Sequence, residues 1–354
     1  MNFPTLNDDC LRELLCNLPL SKQLEIRLIS TKYANIIEDI FRRRKCLSLI
    51  VGCVLEQRKL QESMTFGSQL QLRRICLDDV LFLTRFFPKI RKLSFLTVRL
   101  NLLEIKIALL NHWQSTLTSL SMITFESELA PHIIQLPHLE SLHISNRLAC
   151  SEEIQRKQIL RKLKSFKVGD FQCEDLIHFS SNLRELRIEY LYAESLDDFL
   201  PMMHPQAAFS LEKLHIDHIY GYKEEGKSLI ETLCERFPSL QSLRVWDPNY
   251  NYWSSTNLFE NLSNLHQLTD LSMPISVLYA PVISSDEPQF IPLNSVTTLR
   301  LTGGAFTRPD PSSFASFLRW VFPNLKAIVS KDILWAAEIQ LITETAQLIG
   351  IEFK

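Results

Sequence analysis

Apolar residues return along most of the chain in one short phrase, with leucine or a substitute at its first, fourth and sixth places. The instances are Leu72-Ile75-Leu77, Ile90-Leu93-Phe95, Leu117-Leu120-Met122, Leu139-Leu142-Ile144, Leu163-Phe166-Val168, Leu183-Leu186-Ile188, Leu211-Leu214-Ile216, Leu240-Leu243-Val245, Leu268-Leu271-Met273 and Val296-Leu299-Leu301, with a weaker Leu325-Ile328. They recur at a mean interval of about 25 residues, a period that marks a repeat architecture. At the fourth to sixth places apolar and polar residues alternate, the period of two that belongs to a half-buried strand. Between phrases the spacing turns helical, as in Leu229-Leu233-Phe237 and Phe314-Phe317-Leu318-Val321. Phe87-Pro88, Leu136-Pro137, Phe237-Pro238 and Phe322-Pro323 stand just before a phrase. Proline there stops the preceding helix and turns the chain into the next strand.

One strand and one helix per repeat predict a solenoid in which each repeat buries its apolar edge against its neighbours. The pattern resembles a leucine-rich-repeat array over residues 46–354, with Cys46–Val51 as a first strand and Ile349–Phe353 as a last one. The resemblance implies an elongated α/β solenoid of about 10–12 degenerate repeats, its strands lining a concave face. The asparagine or cysteine that this family carries after the last leucine is missing. Val98, Phe125, Leu191 and Ile219 occupy that place, so apolar packing has to fill the turn.

Residues 1–45 carry no repeat and read as a separate, small all-α domain of three helices. Asn7, Asp8 and Asp9 offer cap oxygens to a first helix ending before Pro19, Ser21 to a second, and a third runs from Thr31 to about Lys45. The order Leu6, then Leu14-Leu15, then Leu18-Pro19-Leu20, then Leu24, Leu28-Ile29-Ser30 and Tyr33 resembles an F-box. Asn7, Ser30 and Tyr33 stand where that family favours proline, cysteine and tryptophan. The resemblance implies docking to a Skp-type adaptor, and through it to a cullin-based ubiquitin ligase, with a protein substrate captured by the repeats. Matched residue by residue, Leu6, Leu15, Leu18, Pro19 and Leu20 would face the adaptor, and Leu14, Leu24, Leu28 and Ile29 would be shared with the three-helix core. The alternative is a plain helical cap on a scaffold without ligase partners, since a solenoid needs its first repeat covered.

Composition narrows the function without naming it. Lys+Arg 38 against Asp+Glu 40 is a near balance, which argues against nucleic acid or an anionic membrane as partner. No apolar run reaches the length of a membrane span and no secretory start is present, so the expected location is cytoplasmic or nuclear. Arg42-Arg43-Arg44-Lys45 can be read as a nuclear signal, though cations at a helix C-terminus need no purpose beyond offsetting its dipole. The eight cysteines include no CxxC pair and read as buried free thiols, and His215 and His218 do not make a metal site; no cofactor is expected. Gly221–Ser228 spells G-x-x-x-x-G-K-S, the phosphate-cradling pattern. Glu224 and Glu225 within it oppose a bound phosphate, which leaves nucleotide binding a remote alternative to a repeat loop capped by Ser228. No catalytic residue and no enzyme activity is expected.

The strand register predicts what the concave face presents. Between the two inward apolar residues of each phrase stand Ser94, Ser121, His143, Lys167, Arg187, His215, Arg244, Ser272, Arg300 and Val329. Five successive members, His143 to Arg244, are basic or titratable, and adjacent strands lie about 4.8 Å apart. Such a stripe suits an acidic or phosphorylated protein segment, unless Arg187 is spent on its neighbouring glutamate. Glu185, Glu189, Asp217 and Trp246 flank the column. Seven of the eight tyrosines cluster just after successive strands, among them Tyr220, Tyr222, Tyr250 and Tyr252. Aromatic residues beside an arginine column have the composition of a protein-binding rim.

Overall fold

The computed structural model describes residues 7–18, 20–51, 69–72, 77–96, 102–148, 153–172, 182–192, 205–220, 229–246, 257–278, 291–303, 310–330 and 336–354. They fall into two compact units, Met1–Leu163 and Lys164–Lys354.

The first unit opens with α1 (Asp8–Cys16), α2 (Leu20–Arg27) and α3 (Thr31–Arg43). The Asn7 side chain accepts from the Asp9 N–H, and Asp8 and Asp9 place negative charge in the first turn, where the helix dipole favours it. Ser30 caps α3 by accepting from the Tyr33 N–H. The second helix starts at Leu20, so Ser21 lies inside it rather than capping it. Ile36, Ile37, Ile40 and Phe41 form one buried stripe on α3, and Leu15 of α1 is buried as well. Gln23 of α2 is wholly buried, and its amide is fully used. It donates to the carbonyls of Leu15 and Leu18 at 2.6 and 2.9 Å, and its oxygen accepts from Arg44 at 3.0 Å. One side chain thereby fixes the turn that follows α1 and ties α1, α2 and the end of α3 together.

The three helices continue directly into the first repeats. Phe41 lies 4.9 Å, centroid to centroid, from Phe87, and the Arg27 guanidinium sits 4.4 Å above the Phe86 ring. Behind them are five parallel strands, β1 (Cys46–Val51), β2 (Gln69–Leu72), β3 (Lys92–Leu96), β4 (Ser119–Met122) and β5 (Ser141–Ile144). Their spatial order is β2-β1-β3-β4-β5. The Cys46–Val51 strand is the first in the chain, as expected, and β2 pairs along its far side. One expectation is corrected here. The described ends of the phrase Leu72-Ile75-Leu77 do not share one strand: Leu72 ends β2, and Leu77 begins helix α4 (Leu77–Phe86). Val80, Leu83 and Phe86 are buried at helical spacing, and that longer period overrides the short phrase. Later in the unit the Lys162 ammonium donates to the carbonyls of Ile133, Ile134 and Leu136 at 2.7 to 3.0 Å, closing the C-terminus of the helix Ala130–Ile134. Burial pushes its pKa down to about 8.

The second unit stacks β6 (Ser165–Gln172), β7 (Glu185–Tyr192), β8 (Lys213–Tyr220), β9 (Ser242–Val245), β10 (Asp270–Pro274), β11 (Thr298–Thr302), β12 (Ala327–Ser330) and β13 (Glu352–Phe353), all parallel and in chain order. Phe166, Leu186, Leu214, Leu243, Leu271, Leu299 and Ile328 pair in one register and are each 0% exposed. Each such side chain contributes about 1.5–3 kcal/mol of burial, and its neighbours along the row supply the contacts. This is the stack of leucine-rich strand–helix repeats that the periodicity predicts, an α/β solenoid arrangement within the unit. Phe237 and Phe322, at the ends of the helices Leu229–Arg236 and Pro311–Val321, are 1% exposed and anchor the proline turns. Phe125 and Leu191 are buried where the family's asparagine is missing.

The last strand is shorter than expected. Ile349 ends the helix Ala336–Ile349, and Gly350 follows it at φ +79. The Gly350 N–H reaches the Gln347 carbonyl and the Ile351 N–H the Ala346 carbonyl, a glycine-terminated helix end. Only Glu352 and Phe353 remain to pair with β12, and a two-residue charged edge discourages further strand pairing. Cysteine exposure also differs from expectation: Cys234 is buried, with its thiol pKa pushed up to about 12, whereas Cys10 and Cys16 on α1 are exposed. No helix among the described residues is long and apolar enough to cross a membrane.

Candidate protein-binding face

Parallel pairing puts the expected column in register. In the second unit Lys167, Arg187, His215, Arg244, Ser272 and Arg300 stand opposite one another on successive strands, on the sheet face turned away from the leucine row. In the first unit Ser94, Ser121 and His143 are likewise level, with Ser121 Oγ 3.1 Å from His143 Nδ1.

Geometry removes much of the positive charge that the column shows in sequence. Asp270, two residues before Ser272, accepts from Arg244 at 2.5 Å and from Arg300 at 2.8 Å. Burial alone would raise the Asp270 pKa, but the hydrogen bonds and charges of the two arginines hold it below the usual carboxylate range. Arg187 pairs at 3.1 Å with Asp217 of the next strand rather than with a glutamate of its own strand. Lys167 is half-buried, and its pKa is lowered by burial and then by Arg187, against the opposing pull of Glu189, Asp217 and Glu185. His215 is 7% exposed, and burial, followed by the charges of Arg244 and Arg187, pushes its pKa down to about 3. It is neutral at physiological pH and contributes no positive charge to the stripe.

His215, Ser242 and Asp270 share the residue types of a hydrolytic triad, but their order is wrong for one. Ser242 Oγ donates to Asp270 at 3.3 Å, and His215 Nε2 lies 3.0 Å from the same oxygen. With the hydroxyl proton directed at Asp270, the network assigns the Nε2–H tautomer to His215, which donates to the serine instead of removing its proton. Ser242 is also only 5% exposed. The constellation therefore works as a hydrogen-bonded strut joining β8, β9 and β10. A pH dependence follows. The unfolded chain protonates this imidazole near 6.5 and the folded chain only near 3, so stability is intact above pH 6.5 and falls as pH drops towards 3. The loss expected from this group is about 2 kcal/mol at pH 5. Urea unfolding read by hydrogen exchange in β8 and β9 should show this limb between pH 7 and 5, and His215→Gln should flatten it. An unchanged slope in that variant would remove His215 as the cause.

At the C-terminal ends of the same strands lies an aromatic row. Tyr190 and His218 are level on β7 and β8, with ring centroids 5.1 Å apart and planes 10° from parallel. His218 meets Trp246 edge-on at 4.4 Å. Asp170 on β6 is level with Tyr190. His215 and His218 thus engage different neighbours, and no cluster of three potential metal ligands occurs among the described residues.

On the helical head, Leu15 is 5% exposed and belongs to the three-helix core instead of the outer surface, while Leu18 is half-buried. The exposed apolar residues there are Leu14, Leu28 and Ile29, at 56%, 83% and 70%. Leu6, Pro19, Tyr222, Tyr250, Tyr252 and the Gly221–Ser228 loop lie outside the described residues, as do the side chains of Leu20, Leu24 and Tyr220. Sequence reasoning missed Asp270, Ser242 and His218 as parts of the face. Asp270 and Ser242 sit two residues before column members, so extending the register by one outward position would have found both.

The chain matches no family model and no curated protein sequence. Among solved structures, the leucine-rich repeat-containing protein LegL7 from Legionella pneumophila is similar at a TM-score of 0.45 and 12% identity, over 85% of this chain and 98% of that one.

Proposed function

We propose that this chain is a non-catalytic receptor that joins two proteins, its helical head docking a Skp-type adaptor of a cullin-based ubiquitin ligase and its strand face holding a protein substrate. The observation that carries the adaptor half is the exposure of Leu14, Leu28 and Ile29 within the segment that has the F-box-like skeleton. A head of about forty residues lies at the lower limit of independent stability, and apolar side chains left in water on it lose free energy until a partner covers them. Co-expression with a Skp-type adaptor should yield a complex. The double variant Leu28→Glu/Ile29→Glu should lose that complex with its unfolding midpoint unchanged, because neither side chain contributes to the core. Failure of the unaltered chain to capture the adaptor would sink the ligase reading and leave a protein-interaction scaffold.

A further inference from the structure

Positive charge gathers on one edge of the first unit, where α3 runs into β1 and α4 into β3. The Lys45 carbonyl accepts from the Arg91 and Lys92 N–H groups at 2.7 and 2.9 Å, so the starts of the two strands lie side by side. Beneath them the Phe41 ring meets Phe86 and Phe87 at 6.4 and 4.9 Å, which brings the ends of the two helices together. Lys45, Arg85, Lys89, Arg91 and Lys92 are exposed and belong to no ion pair among the described residues. Arg42 and Arg43 add to them, because their partners Glu38 and Asp39 are each shared with a second arginine, Arg27 and Arg12. The carboxylates nearby in the chain lie elsewhere: Asp78 and Asp79 open α4 at its opposite end, about 10 Å along the axis from Arg85. Along the strand starts, Arg91 is followed by Thr118 and only then by Glu140, two strands on. Even with every acid of both stretches counted, residues 7–45 and 77–96 carry twelve Lys and Arg against eight Asp and Glu, in a chain whose total is −2. Helix dipoles account for Arg42, Arg43 and Arg85, which stand in last turns. Lys45, Lys89, Arg91 and Lys92 stand beyond both helices, where that interaction falls away.

We infer that this basic edge docks an aspartate- and glutamate-rich segment of a partner protein. Cations held close together repel one another, and a polyanion relieves that repulsion while gaining charge-assisted hydrogen bonds. Long-range attraction also speeds the encounter and excludes basic competitors. The cations follow the edge instead of converging on one point, which suits carboxylates at successive places of an extended segment better than a single phosphate group. Phe86 and Phe87 are buried, so neither ring is open for a nucleic-acid base to stack on. On the strand face, by contrast, Arg187 holds Asp217, Arg244 and Arg300 share Asp270, and His215 is neutral. The edge therefore offers an acidic partner more unengaged charge than the column does. The inference is independent of the ligase reading, because Leu14, Leu28 and Ile29 have no part in it.

The test uses the full chain and fluorescein-labelled peptides about twelve residues long, one rich in aspartate and glutamate and one rich in lysine, together with an oligouridine of similar length and phosphatidylserine vesicles. Anisotropy titrations should show the acidic peptide binding most tightly, and more weakly as salt rises from about 50 to about 200 mM. Lys89→Glu/Lys92→Glu should weaken it about tenfold with the unfolding midpoint unchanged, since both side chains are exposed. Lys89→Gln/Lys92→Gln should weaken it about threefold and tests the edge even if charge reversal disturbs folding. Lys326→Glu removes an exposed cation from the equivalent place before β12 and should change nothing. No binding of the acidic peptide, unchanged binding in both lysine-pair variants, equal weakening by Lys326→Glu, or tighter binding of the lysine peptide, the oligouridine or the vesicles would overturn the inference. Adaptor capture is measured on the same samples. Its absence would count against the ligase reading and not against this edge, while its presence alongside absent peptide binding would reject this edge alone.

Discussion

Replacing Lys106 by alanine is expected to cost the first compact unit about 3–5 kcal/mol, enough to leave a domain of ordinary stability barely folded. Lys106 lies on the helix Leu103–His112 and is 1% exposed. Its ammonium meets Glu126 at 2.5 Å and stands 6.0 Å from the Phe95 ring centroid. Glu126 Oε2 has no hydrogen-bond partner, so without the lysine the carboxylate is a buried charge held by nothing. The penalty comes from that stranded charge far more than from the lost methylenes. Lys106→Met should therefore remain strongly destabilising although it fills the space, and Lys106→Met/Glu126→Leu should recover most of the loss. Urea-dependent hydrogen exchange in β3 and β4 reads this unit without averaging over the second. A double variant as unstable as Lys106→Met alone would show that packing, not charge, makes Lys106 necessary.

Asp270→Ala should be the most damaging polar substitution on the strand face, at about 2–4 kcal/mol, with the loss confined to β8–β11. One carboxylate joins four strands: Arg244 and Ser242 come from β9, Arg300 from β11, and His215 is reached from β8 through Ser242. Its removal leaves two arginines side by side, about three-quarters of each side chain out of water, with only mutual repulsion between them. Asp270→Asn keeps the shape and one acceptor, so it should cost roughly half as much. The native pair has its own pH signature. Because the folded carboxyl titrates below its ordinary value of 3.8, the stability it confers is complete above that value and disappears as pH falls through the lowered one. Faster exchange in β8–β11 of Asp270→Ala than in β12 would agree with this arrangement. A uniform loss over the whole unit, or none, would contradict it.

Most of the fold was legible in the sequence because repeat architecture is written in local spacing. Ten of the eleven apolar phrases fall on strands, the column from Lys167 to Arg300 pairs in the expected register, and the three head helices lie within a few residues of their expected bounds. Each of these follows from contacts between neighbours in one element or between equivalent places in adjacent repeats. The exceptions have local causes as well. Leu72-Ile75-Leu77 failed because a helical period beginning at Leu77 overlaps the phrase, and the final strand shrank because Gly350 ends a longer helix.

What the sequence by itself determined is the period, the parallel stacking of leucines and the column of side chains from Lys167 to Arg300 on the strand face. It could not determine what those side chains do to one another. Arg187 chose Asp217 over Glu189, Arg244 and Arg300 converged on Asp270, and His215 became neutral by burial; each outcome depends on distances across strands and on the water excluded between them. The same limit applied to the head, where the resemblance set Leu15 towards the adaptor and shared Leu14, Leu28 and Ile29 with the three-helix core. Only the packing of the three helices decided that Leu15 belongs to the core and the other three to the surface. Spacing along a chain specifies which residues share a face, but charge and exposure are properties of neighbours in space.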